Sequence, residues 1–353
     1  MKALIAMSGG VDSAMAALLL QQQGYDCVGC TMKLYNNEDA GVDRSKTCCA
    51  ADDVQDARAM CLRMGIPYYV FNFTYDFRRE IIDRFVRCYE CGQTPNPCID
   101  CNKYMKFGKL YERAALLDCD VIATGHYARI EERGGVYLLK KAVDETKDQS
   151  YVLYSLTQAQ LRRTVFPLGS LRKSEVRVMA AEAGLEAAQK PDSQDICFVP
   201  DGDYAKIVTL HSGREPEPGP FVNMKGERIG THRGIIHYTI GQRRGLGIAA
   251  ERPLYVVSVE PETNTVVLGY NEDLFRREVL VRDFNWCAGI APEGAFRCSA
   301  KIRYRHPEQP AVCVALPDGR VRIVFDEGQR AVTPGQSAVV YDGDVVLGGG
   351  IIE

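Results

Sequence analysis

Hydrophobic and polar positions follow two rhythms along this chain, and the change of rhythm divides it. In the first half, short apolar runs alternate with amphipathic stretches. Ala3–Met7, Asp26–Met32, Tyr68–Phe73 and Val121–Thr124 read as strands, the last preceded by Asp118-Cys119-Asp120. Ala50–Met64, Tyr75–Val86 and Tyr104–Leu116 repeat apolar residues every three or four positions, as helices burying one face do. This alternation predicts an α/β fold, a parallel sheet with helices on both faces. Ligands of such sheets sit beyond the C-terminal strand ends, so Ser8, Met32 and Gly125-His126 are expected on one rim. Helical pattern resumes from Leu161 and over Lys173–Ala183, where Gly184 stops it.

After about residue 200 the rhythm shortens. Pro200, Pro216, Pro218, Gly219 and Pro220 break the chain. Tyr255–Val259, Val266–Leu268, Arg297–Ile302, Ala311–Ala315, Val321–Phe325 and Ala338–Asp342 then alternate with turn signals, as in a small all-β barrel or sandwich. The expected organisation is an α/β domain over 1–200, a small central domain over 201–272 and a C-terminal β-barrel over 273–353.

Chemistry concentrates first at the start of the chain. The strand Ala3–Met7 breaks into Ser8-Gly9-Gly10-Val11-Asp12-Ser13, and a helix-forming run follows. Strand, glycine turn and helix present backbone N–H groups to an anion at a helix N-terminus. The glycines admit phosphate oxygens close to the backbone, and Ser8 and Ser13 add hydroxyl donors. The run has neither the Gly-Lys-Ser/Thr of a Walker A loop nor a G-x-G-x-x-G. The bland reading is a serine-capped turn. The run resembles the PP-loop, SGGxDS, of ATP pyrophosphatases, enzymes that adenylate an oxygen and release pyrophosphate.

Composition narrows the class. At 353 residues, 46% hydrophobic and 25% charged, the chain fits a soluble globular protein. No apolar run is long enough to cross a bilayer and no basic, apolar leader opens the chain, so a cytoplasmic location is expected. Fourteen cysteines in that compartment argue for metal, cluster or thiol chemistry rather than a disulfide framework. Net charge is −3, but Arg276–Arg305 holds seven Lys/Arg against three Asp/Glu, and Lys225–Arg252 six against two. An acidic average can hide a basic face of the kind nucleic acid needs. Scattered, solvated arginines are the plain reading of the same segments.

Cys88, Cys91, Cys98 and Cys101 form two C-x-x-C pairs, which read first as a zinc knuckle, although the spacer between the pairs is short. Cys197, in Asp192-Ser193-Gln194-Asp195-Ile196-Cys197-Phe198, lies in a polar, loop-like context. Cys27, Cys30, Cys48, Cys49, Cys61, Cys119, Cys287, Cys298 and Cys313 fall mostly in apolar contexts and read as core.

A resemblance covers nearly the whole chain. Ser8–Ser13, Thr94-Pro95-Asn96-Pro97, Cys101-Asn102-Lys103, Ala123-Thr124-Gly125-His126-Tyr127, Lys147-Asp148-Gln149-Ser150-Tyr151, Asp192–Phe198, Gly241-Gln242-Arg243-Arg244-Gly245-Leu246-Gly247 and Pro334-Gly335-Gln336-Ser337 occur in order. Together they resemble the tRNA-specific 2-thiouridylase family, MnmA. The resemblance implies that ATP, with Mg2+, adenylates the C2 oxygen of a tRNA wobble uridine, and that sulfur from a persulfide or sulfide donor protein then displaces AMP. It implies ATP contacts from Ala6, Met7, Ser8, Gly9, Gly10, Val11, Asp12, Ser13, Met32 and Gly125. It makes Cys101 the nucleophile and Cys197 the persulfide carrier, with Asn96 and Pro97 framing the target base. It assigns tRNA contacts to His126, Lys147, Asp148, Gln149, Arg303, Tyr304 and Gln336. Without it, a rim histidine satisfied by backbone and a solvated strand arginine would be the plain readings of His126 and Arg303.

One position departs. The better-known form of the family has an aspartate, given an acid/base role, where this chain has Cys98. A thiol cannot inherit that role simply, because its ordinary pKa lies about four units higher. Two mechanisms stay open: a persulfide relay through Cys197 and Cys101, and a 4Fe–4S cluster held by Cys98, Cys101 and Cys197. Competing functions are a PP-loop ligase or amidating enzyme acting on a small molecule and a zinc-stabilised RNA-binding module. Asp12→Ala and Ser13→Ala are expected to abolish adenylation with the fold intact.

Overall fold

The computed structural model describes residues 1–41, 49–185 and 196–353. Cys48 and Asp192–Asp195 fall outside these, as does the side chain of Cys49. In chain order, β1 (Lys2–Ala6) and the helix Val11–Gln22 lead to β2 (Asp26–Lys33), the helix Cys49–Arg63 and β3 (Tyr68–Asn72). Two helical runs follow, over 74–90 and 97–116, and then β4 (Val121–Ala123). β5 (Arg129–Arg133) and β6 (Val136–Lys140) form a hairpin. The helix Gln158–Arg162 precedes β7 (Thr164–Val165), so the helical pattern around Leu161 gives way to a strand, and Lys173–Glu182 is helical.

β1, β2, β3, β4 and β7 make one parallel sheet in the order β3-β2-β1-β4-β7. Alternation along β1 explains its double cover. Ala3 and Ile5 pack with Ala17, Leu20 and Cys61 on one face, while Leu4 packs with Val28, Leu110 and Ile122 on the other. The chain runs outward from β1 to β3 and then returns to β4 on the other side. That reversal opens a crevice at the C-terminal ends of β1 and β4.

The chain then forms a helix, Tyr204–Ser212, that the proline-rich stretch concealed. β8 (Gly219–Asn223), β9 (Arg228–His232), β10 (Tyr255–Glu260) and β11 (Thr265–Gly269) build a sheet in the order β10-β11-β8-β9 around Phe221, Val256, Val266 and Leu268. β12 (Phe275–Trp286), β13 (Ala295–Lys301), β14 (Gln309–Ala315), β15 (Val321–Arg330), β16 (Ser337–Asp342) and β17 (Val345–Ile352) are antiparallel, and pairing of β12 with β17 closes them into a barrel. Val281, Ile323, Phe325 and Val340 fill it.

The β5–β6 hairpin couples the two halves. Val345 of β17 pairs with Lys140 of β6, so the hairpin extends the barrel's sheet. Arg129 bonds Asp344 at 2.8 Å, Lys141 bonds Glu308 at 2.6 Å, and Gln336 donates to the Thr94 carbonyl at 2.8 Å. These links set the β13–β14 connection over the crevice of the parallel sheet. Among the described residues no helix is long and apolar enough to cross a membrane.

Candidate active site

The crevice is a cleft of about 1090 Å³ whose walls come from opposite ends of the chain. One wall is the loop after β1, with Met32 and Gly125; the other is Lys301, Tyr304, Arg305, His306 and Pro307 of the barrel. Every residue expected to touch ATP, Ala6 to Ser13 with Met32 and Gly125, lines this space.

The loop is built for close approach. Gly9 has φ +76°, and a Cβ there would meet the Asp53 carbonyl oxygen at 2.7 Å. A Cβ on Gly125 would meet Asp12 C at 2.7 Å and Ser13 N at 2.9 Å, so only glycine lets β4 abut the loop. Ser13 Oγ donates to the Gly10 carbonyl at 2.9 Å and accepts from Ser8 N at 3.1 Å. Gly10 caps the helix Val11–Gln22 without a side-chain bond, so the first-turn N–H groups and the positive dipole end face the cleft.

Asp12 is engaged within the protein. Lys173 Nζ donates to both its carboxylate oxygens at 2.7 Å, and Tyr127 Oη donates to Oδ1 at 2.8 Å. Lys173 is 6% exposed, and its backbone N–H donates to Asp144. Removing Asp12 strands a buried ammonium, which corrects the expectation that Asp12→Ala leaves the fold untouched. The sequence held no signal for Lys173, because the pair spans 161 positions.

The sulfur groups come from two segments. Cys98 and Cys101 sit in the helical run 97–116, which Asn96 caps by accepting from Cys98 N at 3.2 Å and Pro97 opens at its first turn. Cys98 is exposed and Cys101 half-buried. Cys197 opens to the cleft, and Tyr35 Oη donates to its carbonyl at 2.7 Å. Burial pushes the Cys101 thiol up to about 11, against the opposing pull of Lys106. Packed protein around Cys197 pushes its thiol up to about 12, helped by the charges of Cys101 and Cys98. The thiols thus lie within electrostatic reach of one another. Burial also raises Asp100 to about 6, and Arg84 and Lys103 pull it back. Asp100 does not line the cleft.

His126 is 7% exposed and packs edge-on against Phe166. Burial, seconded by Lys106, holds its pKa well below the usual range, so it is neutral. Lys106 Nζ approaches Nε2 at 3.4 Å, and Thr124 Oγ1 approaches Nδ1 at 2.7 Å. An ammonium only donates, so Nε2 accepts and Nδ1–H donates to Thr124. The ring is satisfied by side chains, not by backbone.

Three family profiles match the chain in order: the tRNA methyl transferase HUP domain over 1–201, the tRNA methyl transferase PRC-barrel domain over 208–270 and the aminomethyltransferase beta-barrel domain over 276–352. Curated relatives match end to end. The tRNA-specific 2-thiouridylase MnmA of Clostridioides difficile is 51% identical, over 100% of this chain and 98% of its own. MnmA 2 of Caldanaerobacter subterraneus is 50% identical with the same two shares, and MnmA of Acetivibrio thermocellus is 48% identical over 100% and 99%. The chain belongs to the tRNA-specific 2-thiouridylase family.

Of the tRNA contacts the family resemblance implies, His126, Lys147, Asp148, Gln149 and Tyr304 line the cleft. Asn96, Pro97, Arg303 and Gln336 lie outside it. Asp148 spends its carboxylate on Ala142 N, Ser150 N and Ser150 Oγ, and Gln149 Oε1 accepts from Tyr127 N. Arg303 donates to the Arg330 carbonyl at 3.2 Å. Gln336 donates to the Thr94 and Pro95 carbonyls and so fixes the segment before Asn96.

Among the described residues no three His, Cys, Asp or Glu side chains gather as a metal site. Cys88, Cys91, Cys98 and Cys101 are accordingly not gathered as the expected zinc knuckle. Cys98, Cys101 and Cys197, though within electrostatic reach, are likewise not gathered as a metal site, and among the described residues no carboxylate group gathers for Mg2+. Of the cysteines read as core, Cys27, Cys30, Cys61, Cys119, Cys287 and Cys313 are buried and Cys298 is half-buried.

Proposed function

We propose that this chain is a tRNA-uridine 2-sulfurtransferase that adenylates the C2 oxygen of the wobble uridine with ATP and then replaces that oxygen by sulfur. The observation that carries the reading is that Cys197 opens into the same cleft as the Ser8–Ser13 loop. Adenylation and sulfur delivery then share one chamber. A uracil carbonyl is a weak electrophile with a poor leaving oxygen; an adenylate makes that oxygen a good leaving group. Sulfur is a suitable nucleophile once it is anionic.

In this reading the loop's N–H groups and Ser8 and Ser13 hold phosphate oxygens, and Met32 and Gly125 flank the nucleotide. Mg2+ arrives on the phosphates, as it commonly does. A donor protein places sulfur on Cys197 as a persulfide. Its terminal sulfur attacks C2 and AMP departs. The Cys101 thiolate then attacks the inner sulfur. The persulfide bond breaks, sulfur stays on C2, and a Cys101–Cys197 disulfide remains for a reductant to reopen. His126, Lys147, Asp148, Gln149, Arg303, Tyr304 and Gln336 would seat the tRNA, Asn96 and Pro97 would frame a base drawn out of the stack, and the basic barrel would hold the backbone. The domain division is catalytic over 1–200, central over 201–272 and tRNA-binding barrel over 273–353.

The test is AMP and pyrophosphate formation that requires added tRNA, with 2-thiouridine detected by mass spectrometry. Cys101→Ser and Cys197→Ser are expected to abolish thiolation while adenylation continues. Nucleotide turnover indifferent to tRNA would favour a small-molecule ligase and sink the reading. Metal-free protein with a persulfide donor should thiolate at full rate, and Cys98→Ser should too. Loss of both, with activity restored by iron and sulfide in the wild type only, would replace the relay by the cluster.

A further inference from the structure

The segment between the two helical runs of the sheet domain, Gly92 to Pro97, is held by the other two domains. Its first residues still belong to the preceding helix: Gly92 N and Gln93 N donate to the Tyr89 and Cys88 carbonyls at 3.0 and 2.8 Å. Beyond them the partners change. Thr94 N donates to the Pro334 carbonyl at 2.9 Å, and Gln336 Nε2 donates to the Thr94 and Pro95 carbonyls at 2.8 and 3.3 Å. Proline has no N–H, so every backbone hydrogen-bonding group of Thr94-Pro95 is taken by the barrel. The central domain adds its own hold. Thr94 Oγ1 donates to Thr239 Oγ1 at 3.3 Å, and a Cβ on Gly92 would meet Val259 Cγ1 at 3.0 Å and Pro261 Cγ at 3.1 Å.

The barrel's end of this contact is firmly seated. Gln336 N donates to the Thr333 carbonyl at 3.2 Å, and the Gln336 carbonyl accepts at 2.8 Å from Ile352 N, on the strand that closes the barrel. Gly335, at φ +87°, lets the two backbones meet: a Cβ there would lie 2.9 Å from Gln93 Cβ and 3.0 Å from Thr94 N. The partners also fix which way the Gln336 amide points. Two carbonyls only accept, so Nε2 faces them and both its N–H groups are occupied. Downstream, Asn96 Oδ1 accepts from Cys98 N at 3.2 Å, and Pro97 opens the helix that leads to Cys101. Asn96 and Pro97 are therefore suspended between Gln336 of the barrel and the cysteine-bearing run.

We propose that Gln336 is a positioning residue: it fixes Asn96 and Pro97 to the barrel, so that the domain holding the tRNA also carries the frame for the target base. The proposal rests on the reading that Asn96 and Pro97 frame that base. Gln336 then seats the tRNA through this segment, its N–H groups being occupied inside the protein. Thr239 steadies the same point from the central domain. A displacement near 1 Å costs a positioned reaction about 100-fold, so a slack frame lowers turnover and leaves tRNA affinity to the barrel's cations.

The test compares Gln336→Ala with the wild type in the full chain, by amide hydrogen exchange, tRNA affinity and thiolation rate. Exchange at the Thr94 N–H should rise about fivefold or more, as expected once a hydrogen bond's support is lost, while the Ser8–Ser13 peptide exchanges as before. Thiolation at saturating tRNA should fall at least about tenfold, with the Kd values for tRNA and ATP within about twofold of wild type. A raised tRNA Kd with the saturated rate kept would make Gln336 a direct tRNA contact and overturn the proposal, as would unchanged exchange at Thr94. Gln336→Glu offers only acceptors to the two carbonyls and should be no better than alanine; full activity there would also overturn it. If Gln336→Ala does not fold, Gln336→Asn, too short to reach both carbonyls, supplies the same comparison. A wild-type chain that never thiolates tRNA would refute the sulfur-transfer reading, whereas exchange at Thr94 judges Gln336 independently.

Discussion

The two walls of the cleft are made in different ways. The nucleotide wall is local. Ala6 to Ser13 are contiguous, held by a parallel strand, a helix and Gly9, where an added Cβ would meet the Asp53 carbonyl oxygen. The opposite wall is assembled from afar: Lys106 on the π-helical segment Cys101–Lys109, Cys197 some ninety residues on, and Lys301, Tyr304, Arg305, His306 and Pro307 from the barrel, while Cys101 itself does not line the cleft. A wall built from one segment is rigid and carries its chemistry in a readable motif. A wall built from several depends on contacts that hold domains together, and so it can be loosened without touching the motif.

The largest separation of the two walls should come from Gly125→Ala. The new Cβ would meet Asp12 C at 2.7 Å and Ser13 N at 2.9 Å, backbone that has no rotamer to yield. A displacement near 1 Å costs a positioned reaction about 100-fold. Pyrophosphate release should fall by at least that factor, while alkylation of Cys197 stays within about twofold of wild type. Adenylation at the normal rate would show that the nucleotide does not use this loop.

Next comes the Asp12–Lys173 pair, which joins the motif to the helix Lys173–Glu182. Asp12→Ala should both stop adenylation and cost about 3 kcal/mol of stability, by leaving a buried ammonium unpaired. Adding Lys173→Met should return most of the stability and none of the activity. Urea unfolding of the four proteins in the cycle decides it; strictly additive losses would mean that the pair has no energetic coupling.

These pairings mark where sequence reading ended. The Ser8–Ser13 loop, the α/β alternation and most barrel strands were legible because each signal is confined to a few neighbouring residues. The β5–β6 hairpin carries a local cue, since Gly134 and Gly135 both have positive φ. Its partner does not: nothing near Lys140 announces Val345. Lys173 and Lys106 were missed for the same reason, because a lysine's role is decided by what the fold sets beside it. The π register has no sequence signature at all. Conversely, two C-x-x-C pairs suggested zinc, yet among the described residues no three such ligands gather as a metal site.

A smaller effect is expected on tRNA binding, which should weaken as salt rises because phosphate contacts release counterions. Arg305→Ala and Arg243→Ala, both on exposed or half-exposed turns, should each lower the salt slope by about 1 and leave nucleotide affinity unchanged. Arg303→Ala should also weaken binding, partly through loss of its bond to the Arg330 carbonyl. Salt-independent binding would exclude a phosphate-contacting barrel.

The mildest test compares one histidine from each wall. His126 on the sheet side has both ring nitrogens partnered, whereas His306 on the barrel side is equally buried and its Nδ1 has no hydrogen-bond partner among the described residues. Burial, with Arg303 and Lys301 adding repulsion, lowers His306 to about 4 from an ordinary 6.5. Between those values the unfolded chain binds a proton that the native protein refuses, so stability contributed by neutral His306 is complete above pH 6.5 and is lost as pH falls toward 4. The full loss is about 3 kcal/mol for a shift of this size. His306→Gln should therefore flatten the fall in urea midpoint between pH 6.5 and 4.5, without altering pyrophosphate release at pH 8. An unchanged acid slope in His306→Gln would place the acid sensitivity on the sheet wall, with His126, whose lowered pKa acts with the same sign.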